Sequence, residues 1–219
     1  MATILITGAG RGLGQELARQ YAAEGWRVIG TERGAKAEYR LDVTDIDQVR
    51  RLAAKLGGAP IDVLFCNSGI AGKRGTALGS FDYDSWAEVL RVNLLGAAAV
   101  VEVLADNVAA SERKVIALMS SRLGSIAESS GMTLPYATSK AALNMLAKGL
   151  AATLAPRGII VVALSPGWVR TDMGGAGAPL SPQTSVQGLR KVIAGLKPAG
   201  AAQTPAFTQP SYWLCTTSV

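Results

Sequence analysis

The sequence predicts a single α/β domain built on a doubly wound parallel sheet. Three observations carry that expectation. Short apolar runs rich in β-branched residues alternate with segments of helical period, the pattern of strands joined by helical crossovers. Most of these runs stop at Gly, Ser, Asn or Pro, as strands do where they meet turns. Hydrophobic residues make up 49% of the 219 and aromatic ones only 5%, an aliphatic excess suited to a sheet covered on both faces.

The elements follow in order. Thr3 to Thr7 (TILIT) reads as a buried strand that ends at Gly8-Ala9-Gly10. Leu13, Leu17, Ala18 and Tyr21 then recur at helical spacing, and Gly25 stops that helix. Arg27 to Thr31 is the second strand. Only Arg33 to Glu38 separates it from a third at Tyr39 to Val43. A parallel crossover ordinarily takes a dozen residues or more and a helix; here one helical turn is the most that fits. Asp45 to Leu56 reads as a helix capped by Thr44. Ile61 to Phe65 is a strand, and Phe81 to Ala110 carries one or two helical stretches, with Asp82 or Asp84 as cap. Lys114 to Met119 is a strand ending in Ser120-Ser121. Pro135 to Leu154 is a long helix with Ala141, Leu143, Met145, Leu146 and Leu150 on or near its buried side. Ile159 to Leu164 is a strand broken by Pro166-Gly167. Ser181 to Leu196 is a last helix with Ser181 as cap and Pro182 in its first turn. The domain thus spans 1–196. The tail, 197–219, holds Pro198, Pro205 and Pro210 and shows no period beyond a strand-like run at Ser211 to Cys215. It is expected to pack on the same domain.

Composition narrows the chemistry. There is no histidine, which excludes Ser-His-Asp and Cys-His nucleophilic machinery and zinc sites with imidazole ligands. Cys66 and Cys215 are too few and too far apart for a zinc ribbon or a disulfide framework, so no metal is expected. Proton transfer near neutral pH would need a tuned Tyr, Lys, Asp, Glu or Cys. The net charge of +6 comes without a dense Lys/Arg cluster. It fits a solvated surface or the attraction of an anionic ligand better than nucleic acid. MATILITGAG is not a signal peptide. The apolar stretch 96–105 is too short to span a membrane and is interrupted by Glu102. A cytoplasmic protein with no membrane partner is expected.

Thr7-Gly8-Ala9-Gly10-Arg11-Gly12-Leu13-Gly14 closes the first strand and opens the first helix. In that context glycines let the backbone approach a pyrophosphate, and the helix N-terminus offers it free N–H groups and a positive dipole end. Ligands of such sheets lie beyond the carboxyl ends of the strands. Glu32, Arg33, Asp42, Asn67-Ser68-Gly69 and Ser120-Ser121 all fall there. An acid in the position of Glu32 suits a ribose 2′-hydroxyl, and an arginine in that of Arg33 suits a 2′-phosphate, with Arg11 a second positive charge near the turn. NAD and NADP both remain open.

Tyr136 and Lys140, at i and i+4, share a helix face. A nearby ammonium favours the phenolate, which would let Tyr136 give or take a proton near neutrality. Ser121, at a strand end, could hold the same substrate oxygen.

Taken in order, TGAGRGLG, LDVTD (Leu41 to Asp45), CNSG (Cys66 to Gly69), Asn93, SSRLG (Ser120 to Gly124), YATSK (Tyr136 to Lys140) and PGWVRT (Pro166 to Thr171) resemble the short-chain dehydrogenase/reductase family. The likeness is to its C-factor-like and sniffer-type carbonyl reductase branch, a Rossmann-like fold, and covers about 1–196. It implies Tyr136 as acid/base, Lys140 as the residue that lowers its pKa and bonds the nicotinamide ribose, and Ser121 as the substrate-orienting serine, with Ser120 as second choice. It implies Asn93 as holder of a water in the relay with Lys140. For the cofactor it implies Gly8, Arg11, Gly12, Leu13 and Gly14 at the turn. Asp42 and Val43 would meet the adenine, and Asn67, Ser68 and Gly69 would lie near its ribose. Pro166, Gly167, Val169 and Thr171 would line the nicotinamide side, with Thr171 on the carboxamide.

Four features depart from the family. Cys66-Asn67-Ser68-Gly69 stands for the usual N-N-A-G, and Cys66 reads as a small buried hydrophobe. The second helix is nearly absent. The lid after Thr171 is cut to Asp172 to Leu180, and the ending lacks the branch's glycine- and aromatic-containing strand. An open pocket walled by Trp168, Met173, Leu134, Met132 and Ile126 suits a small or apolar carbonyl or secondary alcohol. The alternative is a nucleotide-binding signalling protein of C-factor type with little turnover. A homodimer or homotetramer is expected, since Ala141, Ala142, Ala147 and Ala151 would permit close helix packing.

Overall fold

In the computed structural model residues 1–35, 37–73 and 77–197 are described. Among them six parallel strands form one sheet, ordered β3-β2-β1-β4-β5-β6. The strands are β1 (Thr3–Thr7), β2 (Arg27–Glu32), β3 (Tyr39–Arg40), β4 (Val63–Cys66), β5 (Val115–Met119) and β6 (Ile160–Leu164). The helices are α1 (Gly12–Ala23), α2 (Ile46–Leu56), α3 (Tyr83–Leu90), α4 (Gly96–Ala109), α5 (Leu134–Leu154) and α6 (Pro182–Gly195). The strand order reverses between β1 and β4, which opens a crevice at their carboxyl ends.

Both faces of the sheet are covered, so the strands can be apolar throughout. Along β1, Leu5 joins Leu64, Ile116, Leu118 and Leu104 in one core. Ile4 and Ile6 join Phe65, Leu17, Val186 and Leu189 in the other. Period-two alternation therefore serves two cores rather than a core and solvent.

The short connection after β2 holds bends and a turn and no described helix. It suffices because β3 pairs only at the end of β2, through Thr31 with Tyr39 and Glu32 with Arg40. The chain walks back over two residues instead of a full strand. The third strand is accordingly shorter than the expected Tyr39 to Val43: Leu41 N makes the last bond to β2, to the Glu32 carbonyl at 2.8 Å, and the chain then turns toward α2.

The cap of α2 is Asp45, not Thr44. Its carboxylate accepts from Asp47 N at 3.0 Å and Gln48 N at 3.1 Å, and the hydrogen bonds from Gln48 hold it below the usual carboxylate range. Thr44 instead bonds back to Asp42. Asp82 caps α3 through Ser85 N. Between α3 and α4, residues Arg91–Leu95 form one π turn, a local widening that often marks a functional site; it carries Asn93.

Two expectations about α5 fail. Met145 is 72% exposed, because two residues along a helix is about half a turn and sets it on the face opposite Leu143 and Ala147. Ala147 is buried against its own sheet and so is not free to line a contact between subunits. Cys66 is a buried free thiol, pushed up to about 12 by burial, as a small hydrophobe would be. The tail beyond Lys197, with the strand expected at Ser211 to Cys215, lies outside the described residues.

Candidate active site

The site is a row of strand ends. Beyond β1 the chain turns through Gly8 and Gly12, at φ +70° and +57°, the left-handed region where glycine carries no steric penalty. Gly14 has no room for a side chain: a Cβ there would overlap the Gly8 carbonyl oxygen and lie 2.6 Å from Asn67 Nδ2. At Gly12 a Cβ would approach Thr171 at 3.6 Å, so the glycine turn and the loop after β6 face one another across a gap about one group wide.

No side chain caps α1, and no acidic residue sits in its first turn. Its terminal N–H groups therefore have the unmet demand that a phosphate fills. This cradle fits a nucleotide pyrophosphate.

Asn67 braces the turn. Its Nδ2 donates to the Thr7 and Gly8 carbonyls at 3.1 and 3.0 Å, and its backbone N–H, with that of Ser68, donates to Thr7 Oγ1. The two strands flanking the reversal point are thus tied by one amide and one hydroxyl. Glu32 reaches the turn as well, since a Cβ at Gly10 would lie 2.5 Å from its carboxylate. Arg33 is exposed. Arg11 reaches 2.9 Å across to Asp172; both are largely exposed, so the pair is weak. Asp42 spends one carboxylate oxygen on Thr44, and Val43 is buried beneath Gly96.

The catalytic candidates meet where α5 crosses the ends of β4 and β5. Lys140 is only 3% exposed and its Nζ donates to the Met119 carbonyl at 2.6 Å. Burial pushes its ammonium down to about 8. That Nζ lies 5.5 Å from the centroid of the Tyr136 ring. A Cβ on Gly69 would stand 3.2 Å from Asn93 Oδ1 and 3.7 Å from Lys140 Nζ, so Gly69 lets the three approach. Ser121 opens a 3-10 turn (Arg122–Gly124) and is partly exposed, its Oγ accepting from Leu123 N. Ser120 is 4% exposed and bonds Asn144, which leaves Ser121 as the serine that faces out.

The Asn93 amide is occupied. It exchanges two hydrogen bonds with the backbone of Ile70 and donates to Ser139 Oγ at 2.9 Å. Ser139 in turn donates to the Tyr136 carbonyl at 2.7 Å. Sequence reasoning missed Ser139, wholly buried, as the link between Asn93 and the tyrosine's backbone. A serine beside Tyr-x-x-x-Lys is too ordinary a signal to find it. Thr7 and Ser185 carry no local mark of their roles either, since their partners are remote in sequence. Ser185 is fully buried and anchors the loop after β6 by donating to the Pro166 carbonyl at 2.7 Å.

In that loop Gly167 takes φ +76°, and Val169 is buried and bridges to Leu180. The Thr171 hydroxyl accepts from Gly174 N at 3.1 Å. Trp168 donates through Nε1 to the Gly174 carbonyl at 2.9 Å yet stays 60% exposed. Met132 and Ile126 are exposed as well. These three, of the five residues expected to wall a substrate pocket, are thus open to solvent. Among the described residues no cluster of His, Cys, Asp and Glu could hold a metal, and no helix is long and apolar enough to cross a membrane.

A parallel sheet with a phosphate cradle at its reversal point and a buried lysine beside a tyrosine defines a nucleotide-dependent oxidoreductase. Residues 2–178 match the family model of short chain dehydrogenases. The chain belongs to the short-chain dehydrogenase family and is an NAD(P)-dependent oxidoreductase. It is 38% identical to C-signal of Myxococcus xanthus, over 68% of this chain and 90% of that one. Carbonyl reductase Sniffer of D. melanogaster superposes with a TM-score of 0.83 at 30% identity, covering 90% of this chain and 92% of the other. A short-chain dehydrogenase/reductase of Burkholderia multivorans with bound NADP superposes with a TM-score of 0.78 at 35% identity, covering 88% and 90%.

Proposed function

We propose that the protein interconverts a small or apolar carbonyl compound and its secondary alcohol, with Tyr136 as acid/base. The observation that carries this reading is Lys140. A lysine buried to 3% exposure beside a tyrosine ring is costly to keep, and its position one turn past Tyr136 makes it a device for stabilising a phenolate. Ser121, on the adjoining turn, would hold the substrate oxygen. The glycine turn, Asn67, Gly69 and the loop from Pro166 to Thr171 would hold the cofactor. A nicotinamide, when bound, supplies or accepts the hydride; this chain's residues position the reactants and move the proton. The open, apolar approach past Trp168, Met132 and Ile126 sets few polar demands on the substrate.

Consumption of NADPH and NADH against a panel of aldehydes and ketones tests the reading. Cofactor binding without turnover on any of them would favour the signalling alternative suggested by the likeness to C-signal.

Two further outcomes are expected. Reduction needs a proton on Tyr136 and a charge on Lys140. Since folded Lys140 gives up its proton near pH 8, reductive kcat/KM should fall as pH rises through about 8; a profile flat to pH 10 would contradict it. Stability should move the other way. Between about 8 and the ordinary lysine value of 10.5 the unfolded chain holds the proton that the folded chain has lost, so the cost of burying the charge is relieved as pH rises.

Glu32 governs the second outcome. Its carboxylate lies against the glycine turn, where a 2′-phosphate would meet like charge. Glu32→Gln should therefore tighten NADPH binding about tenfold and leave NADH within about twofold. Calorimetric titration of both cofactors against both proteins reads this directly, and equal shifts for the two would overturn it.

A further inference from the structure

Asn144 lies one turn past Lys140 and two past Tyr136, on the same face of α5. Both ends of its amide are used. Oδ1 accepts from Ser120 Oγ at 2.6 Å, and Nδ2 donates to the Gly124 carbonyl at 3.2 Å. These two partners bracket Ser121. Ser120 is its buried neighbour, and Gly124 closes the 3-10 turn that Ser121 begins.

The turn is also pressed onto the helix at the lysine itself. A Cβ on Gly124 would lie 2.7 Å from the Lys140 carbonyl carbon and 2.9 Å from both its Cβ and its oxygen. The backbone of the turn thus touches α5 at Lys140, and the Asn144 side chain pins it one turn further along. The Ser121 hydroxyl has one internal tie, to Leu123 N at 3.2 Å, and that tie lies within the turn. On its N-terminal side Ser121 is held by the bond of Lys140 Nζ to the Met119 carbonyl and that of Ser120 N to the Leu164 carbonyl; the rest of the turn is held to α5 by the Gly124 contact and the two bonds of Asn144.

We propose that Asn144 is a positioning residue: it holds the Ser120–Gly124 turn, and with it the Ser121 hydroxyl, in register with Tyr136 and Lys140. The kinetic half of the proposal rests on the reductase reading above. An asparagine suits the task because one planar group both accepts and donates. Alanine supplies neither bond, and aspartate keeps the acceptor while setting a carboxylate against the Gly124 carbonyl.

The test is a double-mutant cycle. Asn144→Ala should lower carbonyl kcat/KM about tenfold to a hundredfold, the scale of a small misplacement of a reacting group, with the cofactor Kd within about twofold. In a Ser121→Ala background the same change should cost less than about twofold, because the group being positioned is gone. Ser120→Ala, which leaves α5 untouched, should show the same pattern at smaller size and serves if Asn144→Ala folds poorly. Amide exchange in 121–125 should quicken in Asn144→Ala while β1 and β4 keep their protection. Wild-type kinetics in Asn144→Ala, or an equal loss with and without Ser121, would overturn the proposal. If the wild-type protein reduces no carbonyl, the reductase reading fails by itself and exchange decides: unchanged protection in 121–125 overturns the clamp, and quickened exchange confined to that turn supports it.

Discussion

Tyr136→Phe is expected to lower kcat for carbonyl reduction about a thousandfold, equivalent to about 4 kcal/mol of transition-state stabilisation. Cofactor affinity should stay within about twofold. The substitution removes one oxygen and keeps the ring, whose surroundings are set by other groups. The backbone of Tyr136 is held by Ser139, and Ser139 by Asn93. Lys140 Nζ is held by Met119 and so keeps its place without the phenol. Loss of turnover with retained NAD(P)H binding and an unchanged Tm would isolate the proton as the missing part. Single-turnover measurement with saturating cofactor checks this most directly. A kcat within threefold of wild type would remove Tyr136 from the chemistry.

Gly14→Ala should weaken NAD(P)H binding at least about a hundredfold, or about 2.7 kcal/mol, and lower Tm as well. The added methyl would overlap the Gly8 carbonyl and crowd Asn67 Nδ2. Neither can step aside cheaply. The Gly8 carbonyl is backbone in a turn of positive φ, and Asn67 Nδ2 already donates to it and to the Thr7 carbonyl. Relief requires moving the start of α1 away from β1, which opens the cradle. Gly149→Ala is the matched control: it lies in α5, with nothing within 4 Å of the added methyl. It should leave binding unchanged and raise stability by about 0.5–1 kcal/mol through helix propensity. Equal effects of the two substitutions would contradict the crowding argument.

Much of this architecture is legible in the chain before any coordinates. The runs TILIT, RVIG and VIALM and the helical period of Leu13, Leu17 and Tyr21 place strands and helices to within a residue or two, because periodicity and turn residues are local properties. The π turn at Arg91–Leu95 was invisible, since a one-residue widening leaves the helical period almost intact. The cap of α2 falls one position past Thr44, because Thr44 and Asp45 both suit a helix start and only the direction of each side chain separates them. Met145 is exposed although apolar, since an apolar side chain on the outer face of a helix carries no mark in the sequence that separates it from a core residue.

The candidate site divides along the same line. Gly8-Ala9-Gly10-Arg11-Gly12-Leu13-Gly14 and Tyr136 with Lys140 are short spacings, and their juxtaposition follows from a turn or a helix. Local patterns in the chain suffice for the fold class, for the glycine turn at the start of α1 and for the pairing of a tyrosine with a lysine. Only the tertiary structure decided which polar groups are spent holding the site together. Asn67 is committed to β1, Asn93 to Ile70 and Ser139, and Ser120 to Asn144. A hydrogen bond saturates its partners, and which partners meet depends on distances between elements that are remote in sequence and adjacent only once the sheet has closed around them.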